Sequence, residues 1–397
     1  MFRFKLKKNK FTISLYRFLV KFKRPRDPFV VNYFKSNFSR SALISYVTSP
    51  FTSGEYSHHT NSQESIVIAK GLHNLGFNVD IINCGSPRKI DYKEYSLVFG
   101  FGKPFQNSIE NTSLSTKKIF YSTGMPPQYN NLMTLRRGRE FAKKYGRMAF
   151  KSLRYLEEDY SSQILLANSL ITLGDDYVKK MYSDYIKPAD IPVYQIPASF
   201  YKITNFKEAI REKDFKKAKN NFIFYSGGGL IHKGLDLILE YFATKPNINL
   251  HICASIINER EFEKYYYNLL YKTKNIIFHG FIDINGQKFL NLIKECAFII
   301  FPSCSEGGGA SVLNVLGNGG LIPIVTAESS IPIDDYGIPI NGLNFFEISK
   351  AIDKTSSLSE NEIREMSLKC GSYVSEHNSL ENFEKQIHLA LKKIVEF

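Results

Sequence analysis

The chain has 397 residues, 43% of them hydrophobic, which is too long for one ordinary core and sufficient for two. Its five cysteines, Cys84, Cys253, Cys296, Cys304 and Cys370, are scattered without paired spacing, so neither a disulfide framework nor a cysteine metal site is indicated and a reducing compartment fits. The net charge of +14 is uneven: residues 1–26 hold ten Lys or Arg and no acid.

In that basic arm Phe11, Leu15, Phe18, Leu19 and Phe22 form one apolar helical stripe flanked by cations, as in helices that lie on anionic membranes. A solvated tail, or a helix packed on the protein's own body, is the other reading. No apolar run approaches the roughly 20 residues that span a bilayer. The arm also lacks the apolar segment and small-residue cleavage site of a secretion signal. The expected location is therefore cytoplasmic, peripheral on the inner membrane face if the arm binds lipid. Nucleic acid is not an expected partner, because the excess charge sits in one terminal arm and no recognition module appears.

From Ser41 onward short apolar runs alternate with amphipathic ones. The first series reads as strand 42–49, helix 60–75, strands 77–84, 95–101 and 118–123, a long helix over 132–162, and strands 167–173 and 193–198. Residues 202–220 are polar and charge-dense and read as a linker. The second series reads as strand 222–226, helix 234–244, strand 248–254, helix 259–272, strand 275–280, helix 286–295, strand 297–301, helix 310–317 and strand 321–326. Helices at 359–376 and 380–395 close the chain. Strands that are apolar throughout suit parallel sheets covered on both faces, so the fold class is α/β with two doubly wound, Rossmann-like domains facing across a cleft.

Two loops of the second series carry the chemical signal. The first, Ser226-Gly227-Gly228-Gly229-Leu230-Ile231-His232-Lys233-Gly234, leaves a strand and opens a helix. Consecutive glycines let backbone approach a ligand, helix N-terminal amides favour anions, and Lys233 adds a full charge, a combination suited to a nucleoside diphosphate. Plain turn chemistry is the other reading of such a loop. In the second, Pro302-Ser303-Cys304-Ser305-Glu306-Gly307-Gly308-Gly309-Ala310-Ser311-Val312-Leu313-Asn314, Glu306 stands at a strand's C-terminal mouth, able to accept from sugar hydroxyls. The glycines and the amides of Ala310, Ser311 and Val312 follow it as a phosphate cradle, with Asn314 one turn into the helix.

The order of these two loops resembles the retaining "group 1" family of GT-B glycosyltransferases, clearly over 222–326. In that family the lysine binds donor phosphate, matched by Lys233. The first Glu of its Glu-x7-Glu motif contacts the donor sugar, matched by Glu306, and the second holds the nucleotide ribose, where this chain has Asn314. An Arg that commonly precedes the lysine is missing, with Gly228 or Gly229 in its place. The chain therefore divides into an arm over 1–40, a first domain over 41–205, a second over 206–375 and a terminal helix over 376–397 expected to pack back toward the first domain, and the resemblance implies that the first is the acceptor side and the second the nucleotide-sugar side.

On the acceptor side the first loop of the first series holds Gly54, His58, His59 and Asn61, and the residues after the fourth strand include Thr123 and Gly124. Gly54 matches the glycine of the family's first loop. His58, His59 and Asn61 suit sugar or phosphate contacts in the cleft, or ordinary helix capping. The family's histidine near Thr123 is absent. Arg136, Arg137 and Arg139 form a basic face or an acceptor-binding one, and Glu157, Glu158 and Asp159 read as helix surface. The expected reaction is transfer from a nucleotide-sugar to a glycan or lipid-linked acceptor, with retention, no cofactor and no essential metal, carried by Glu306, Lys233 and His59. A non-catalytic sugar- or nucleotide-binding protein, and a sugar-nucleotide epimerase on the same fold, remain the alternatives.

Overall fold

A computed structural model describes residues 27–52 and 59–396. The basic stripe of residues 1–26, Gly54 and His58 lie outside the described residues.

The first sheet has seven strands in the order β1-β3-β2-β4-β5-β6-β7. These are β1 (Phe29–Val30), β2 (Arg40–Tyr46), β3 (Phe77–Asn83), β4 (Tyr95–Gly100), β5 (Lys117–Ser122), β6 (Ser169–Leu173) and β7 (Val193–Ile196). All neighbours run parallel except β1, which lies antiparallel on β3. Residues 29–40, grouped with the basic arm on sequence, thus form an edge of this sheet and its lead-in. The strand β2 shows why continuous apolar runs were needed: Ala42 and Ile44 enter one core and Leu43 the other, on opposite faces.

The second sheet is wholly parallel, in the order β10-β9-β8-β11-β12-β13. Its strands are β8 (Asn221–Tyr225), β9 (Asn249–Cys253), β10 (Ile276–Phe278), β11 (Phe298–Phe301), β12 (Ile322–Thr326) and β13 (Ile338–Ile340). This is the strand order of doubly wound dinucleotide-binding sheets, with the reversal between β8 and β11. Phe222, Phe242 and Phe298 pack ring to ring on its core, with centroids 4.9 and 5.2 Å apart.

Three differences from the sequence reading matter for the site. The long helix expected over 132–162 is a helix over Pro127–Tyr145, ended by Gly146 at φ 72°, followed by a 3-10 turn at Phe150–Ser152 and a short helix at Ser161–Leu165. The supposed linker contains two helices, Phe206–Glu212 and Phe215–Ala218, whose Phe206, Ile210 and Phe215 are buried in the second core. Their dense charges are the solvent faces of amphipathic turns, which hid the short apolar repeat.

The Pro127–Tyr145 helix also crosses from one domain to the other. Its Phe141, with Ala149 and Leu153 beyond it, belongs to the second domain's core. Phe141 stacks edge-on to Tyr265 at 5.6 Å, and Arg137 makes a 2.6 Å ion pair with Asp236, both partners buried. The last helix, Leu380–Glu396, returns to the first domain: Phe383, Ile387 and Leu391 enter its core, and Lys117 Nζ donates to the Ile394 carbonyl at 2.7 Å. A Cβ on Gly71 would meet the His388 ring at 2.7 Å, so glycine permits the close crossing of this helix over Thr60–Asn74. Among the described residues no helix is long and apolar enough to cross a membrane.

Beneath the first domain's opening loop the Glu64 side chain is buried, receiving hydrogen bonds from Tyr46, Tyr121 and Ser199 hydroxyls at 3.3–3.4 Å. Burial raises its pKa to about 7, above the 4.5 of an exposed Glu, despite those bonds. The folded state therefore holds a proton the unfolded chain gives up, so stability is full in acid and falls as pH rises through about 7. Glu64→Gln is expected to flatten that slope and to gain up to roughly 3 kcal/mol at alkaline pH, read by denaturant unfolding at several pH values.

Candidate active site at the domain interface

Because the strand order reverses between β8 and β11, the loops leaving their C-terminal ends flank one crevice. Lys233 Nζ lies 4.0 Å from Glu306 Oε1 and donates to Ser226 Oγ at 2.7 Å. Glu306 accepts from Ser303 Oγ on Oε1 and from Arg154 Nη1 on Oε2, both at 3.0 Å. The buried His232 beneath them donates from Nε2 to the Ser305 carbonyl at 2.7 Å, which leaves Nδ1 to accept from Thr134 Oγ1 at 2.6 Å. Thr134 belongs to the crossing helix, so both domains hold this floor in place.

The electrostatics follow from those neighbours. Burial alone would raise the Glu306 carboxyl, but Lys233 and then Arg154 outweigh it and hold the pKa at about 2. Burial lowers Lys233 to about 8, with Glu306 opposing, and lowers His232 to about 4, so that His232 is neutral at pH 7. A carboxylate held near pKa 2 is permanently ionised and a poor proton acceptor. Glu306 can therefore take hydrogen bonds and stabilise positive charge, while Lys233 offers a cation that titrates just above neutrality. Anion affinity at this site is expected to hold up to about pH 8 and to weaken about tenfold by about pH 9.5 as the lysine loses its proton, measurable by calorimetric titration with nucleoside diphosphates.

The glycine loop is partly occupied by the protein itself. Glu259, 3% exposed, accepts from Gly229 N at 2.6 Å and Leu230 N at 3.0 Å, which fills two of the amides expected to cradle phosphate. A Cβ on Gly228 would come 2.9 Å from the same carboxylate, whereas Gly227 meets nothing within 4 Å. At the other loop Gly308 and Gly309 have positive φ of 80° and 47° and lead into the helix Ala310–Gly319. Val312 N already donates to the Gly309 carbonyl at 2.8 Å. Ala310 and Ser311 amides, at the partly exposed first turn, have no hydrogen-bond acceptor among the described residues.

Asn314 faces another way. Its Oδ1 accepts from Tyr201 N at 2.7 Å, and one turn later Asn318 Oδ1 accepts from Ile203 N and Thr204 N at 2.7 and 3.0 Å. The pair pins the interdomain segment, and this bond engages the Asn314 amide oxygen within the protein. Asn314→Ala is expected to cost about 1–2 kcal/mol in denaturant unfolding and to leave nucleotide affinity unchanged in titration.

On the facing side Thr123, Gly124 and Asn130 line a cavity of about 170 Å³ together with Arg154, Tyr160, Ser305, Glu306 and Gly307. A Cβ on Gly307 would fall 2.4 Å from the Thr123 carbonyl, so glycine is what lets the two domains meet here. His59 is exposed and its Nδ1 accepts from Asn61 N at 3.3 Å as the N-cap of the Thr60–Asn74 helix. Among the described residues no hydrogen bond joins His59 or Asn61 to Lys233 or Glu306. Arg137 is in the buried ion pair rather than on a basic face, while Arg136 and Arg139 are exposed. Glu157, Glu158 and Asp159 are exposed, in a loop instead of on a helix. Sequence reading missed Arg154, Glu259 and His232 as site residues. Only His232, beside Lys233, had a local signal.

Residues 206–334 match the family model described as glycosyl transferases group 1. The chain carries a group 1 glycosyltransferase domain. Lys233 and Glu306 both lie inside the matched stretch. No curated protein matches the chain in sequence. Among solved structures, sucrose-phosphate synthase from Thermosynechococcus elongatus is similar with a TM-score of 0.60 at 12% identity, covering 90% of this chain and 99% of that one. A glycosyltransferase from Rickettsia africae has a TM-score of 0.57 at 13% identity, with 90% and 100% covered. Anabaena HepE, solved in complex with UDP and glucose, has 0.54 at 10% identity, also with 90% and 100% covered. At such identities these likenesses speak for the two-domain GT-B fold.

Proposed function

We propose that this glycosyltransferase moves a sugar from a nucleoside-diphosphate sugar to a glycan or lipid-linked acceptor, with retention and without an essential metal. The observation that carries the reading is the Lys233–Glu306 pair, 4.0 Å apart at the strand-order reversal of the group 1 domain. The diphosphate rests against Lys233 and the amides of Ala310 and Ser311, where fixed positive charge takes the place of a divalent cation. Glu306, ionised and held by Ser303, accepts from the sugar's hydroxyls and stabilises positive charge growing at the anomeric carbon. The bond from that carbon to the β-phosphate oxygen breaks, the acceptor hydroxyl oxygen bonds in its place, and its proton leaves to the departing phosphate. The close approach of Gly307 to Thr123 brings the two domains together beside the site, and closure of the cleft on the donor would limit its hydrolysis. Retention follows from the group 1 resemblance.

The UDP in HepE makes UDP-sugars the first donors to try. Transfer is expected to release nucleoside diphosphate at equal rates with magnesium and with EDTA, and a product with the donor's anomeric configuration. Loss of turnover in EDTA would sink the metal-free reading, and an inverted product the retaining one. The ten cations of residues 1–26 support a peripheral place on the cytoplasmic membrane face, at roughly 1 kcal/mol for each one near an anionic lipid. Sedimentation with anionic vesicles, abolished by deleting the arm, is the expected result.

A further inference from the structure

Arg154 stands where the first half of the chain meets the donor loops, and the function proposed above does not use it. Its backbone is fixed from outside its own domain: the neighbouring Ser152 carbonyl accepts from Ile231 N and His232 N, both at 3.2 Å. Its side chain runs over Gly229, where a Cβ would fall 2.6 Å from Arg154 Cγ, so the bare backbone of the glycine loop makes room for the arginine stem. The guanidinium ends on Glu306 Oε2 through one N–H at 3.0 Å. It is 51% exposed, lines the cavity shared with Glu306 and Gly307, and its remaining N–H groups have no partner among the described residues.

Around this point the protein has withdrawn several of the groups that could hold an anion, leaving Lys233 and the Ala310 and Ser311 amides. Glu259 fills the amides of Gly229 and Leu230, and His232 is buried and neutral. Lys233 is one cation against a diphosphate that carries at least two negative charges. We propose that Arg154 is a catalytic residue of the donor site, supplied by the first half of the chain, which binds the terminal phosphate of the donor's diphosphate and stabilises it as a leaving group. Its planar fork can engage a phosphate with two N–H groups while another still reaches Glu306, so one side chain ties the leaving group to the carboxylate that meets the sugar. The group 1 domain is then incomplete without the segment Ala149–Arg154.

This inference rests on the proposed reaction, and the test separates the two. Wild-type protein, Arg154→Ala and Arg154→Lys are titrated with UMP, UDP, GMP and GDP, assayed for kcat and KM with the donor that the wild type accepts, and unfolded without ligand. Arg154→Ala is expected to lose about tenfold or more in diphosphate affinity and in kcat, with monophosphate affinity within about threefold. Arg154→Lys should recover part of both, since it restores charge without the fork. Equal losses for mono- and diphosphates, or losses matched by a collapse of the unfolding midpoint in both variants, would show a merely structural ion pair and overturn the assignment. An unchanged Arg154→Ala variant of an active wild type overturns this inference alone. A wild type that neither binds a nucleotide nor turns over a donor overturns both.

Discussion

Replacing Glu306 by Ala is expected to lower the transfer rate by about a hundred- to a thousandfold while the protein stays folded. The loss has two parts that the structure keeps distinct. The carboxylate held at a pKa of about 2 disappears from the sugar side of the crevice. Lys233, which Glu306 helps to keep charged despite burial, also loses its counter-ion, and its pKa drops below the present value of about 8. Diphosphate binding should then weaken at neutral pH as well, and recover when the assay is run in mild acid. Glu306→Gln preserves the shape and the acceptor for Ser303 but not the charge, so it should behave like the alanine variant in both rate and pH profile. Steady-state kinetics of both variants from about pH 5.5 to about pH 8.5 check this. A Gln variant that retains most of the wild-type rate would show that the carboxylate's charge is not what the site uses.

The largest stability effect is expected outside the crevice, at Arg137. Its guanidinium is 3% exposed and meets Asp236 and Glu140, each at 2.6 Å. Burying this pair costs desolvation that the ion pairing offsets, but removing one partner leaves the other charge alone in the interior. Arg137→Ala should therefore cost about 3–5 kcal/mol, limited by Asp236, whose pKa burial already raises and which can take up a proton. Denaturant unfolding should show the loss shrinking as pH falls, because a neutral Asp236 needs no partner. The double replacement Arg137→Met with Asp236→Leu should regain most of it. Activity should fall with Arg137→Ala too, since the same helix brings Thr134 to His232 under the active site.

The sequence carried the sheets well, because strands buried on both faces must be apolar throughout, as in Ala42–Ile44 and Phe222–Phe224. It was equally clear about the two loops with Lys233 and Glu306, since glycine-rich turns before small-residue helices are local features. What it hid was long-range. The Pro127–Tyr145 helix has an apolar face, but no periodicity tells which domain that face will cover. Arg154 and Glu306 are separated by 152 positions, and nothing local to either announces the other. Glu259 looked like the start of a surface helix and instead fills the glycine loop. The helix Asp176–Ile186 was passed over although Asp175 caps it and Val178, Tyr182 and Ile186 repeat on its buried face, because its exposed positions are strongly polar. Likewise β13, three residues with Pro339 at the centre, and the nine-residue helix Phe345–Asp353 are too short to stand out from loop.

The most direct test is calorimetric titration of the wild type and Lys233→Ala with UDP, GDP, ADP and dTDP at neutral pH, alongside a ligand-free unfolding curve for each protein. One of the four diphosphates should bind the wild type, and its affinity should fall by about tenfold or more in Lys233→Ala with the unfolding curve little changed. Equal affinity in the two proteins, or no binding by the wild type, would contradict the placing of an activated sugar between Lys233 and Glu306.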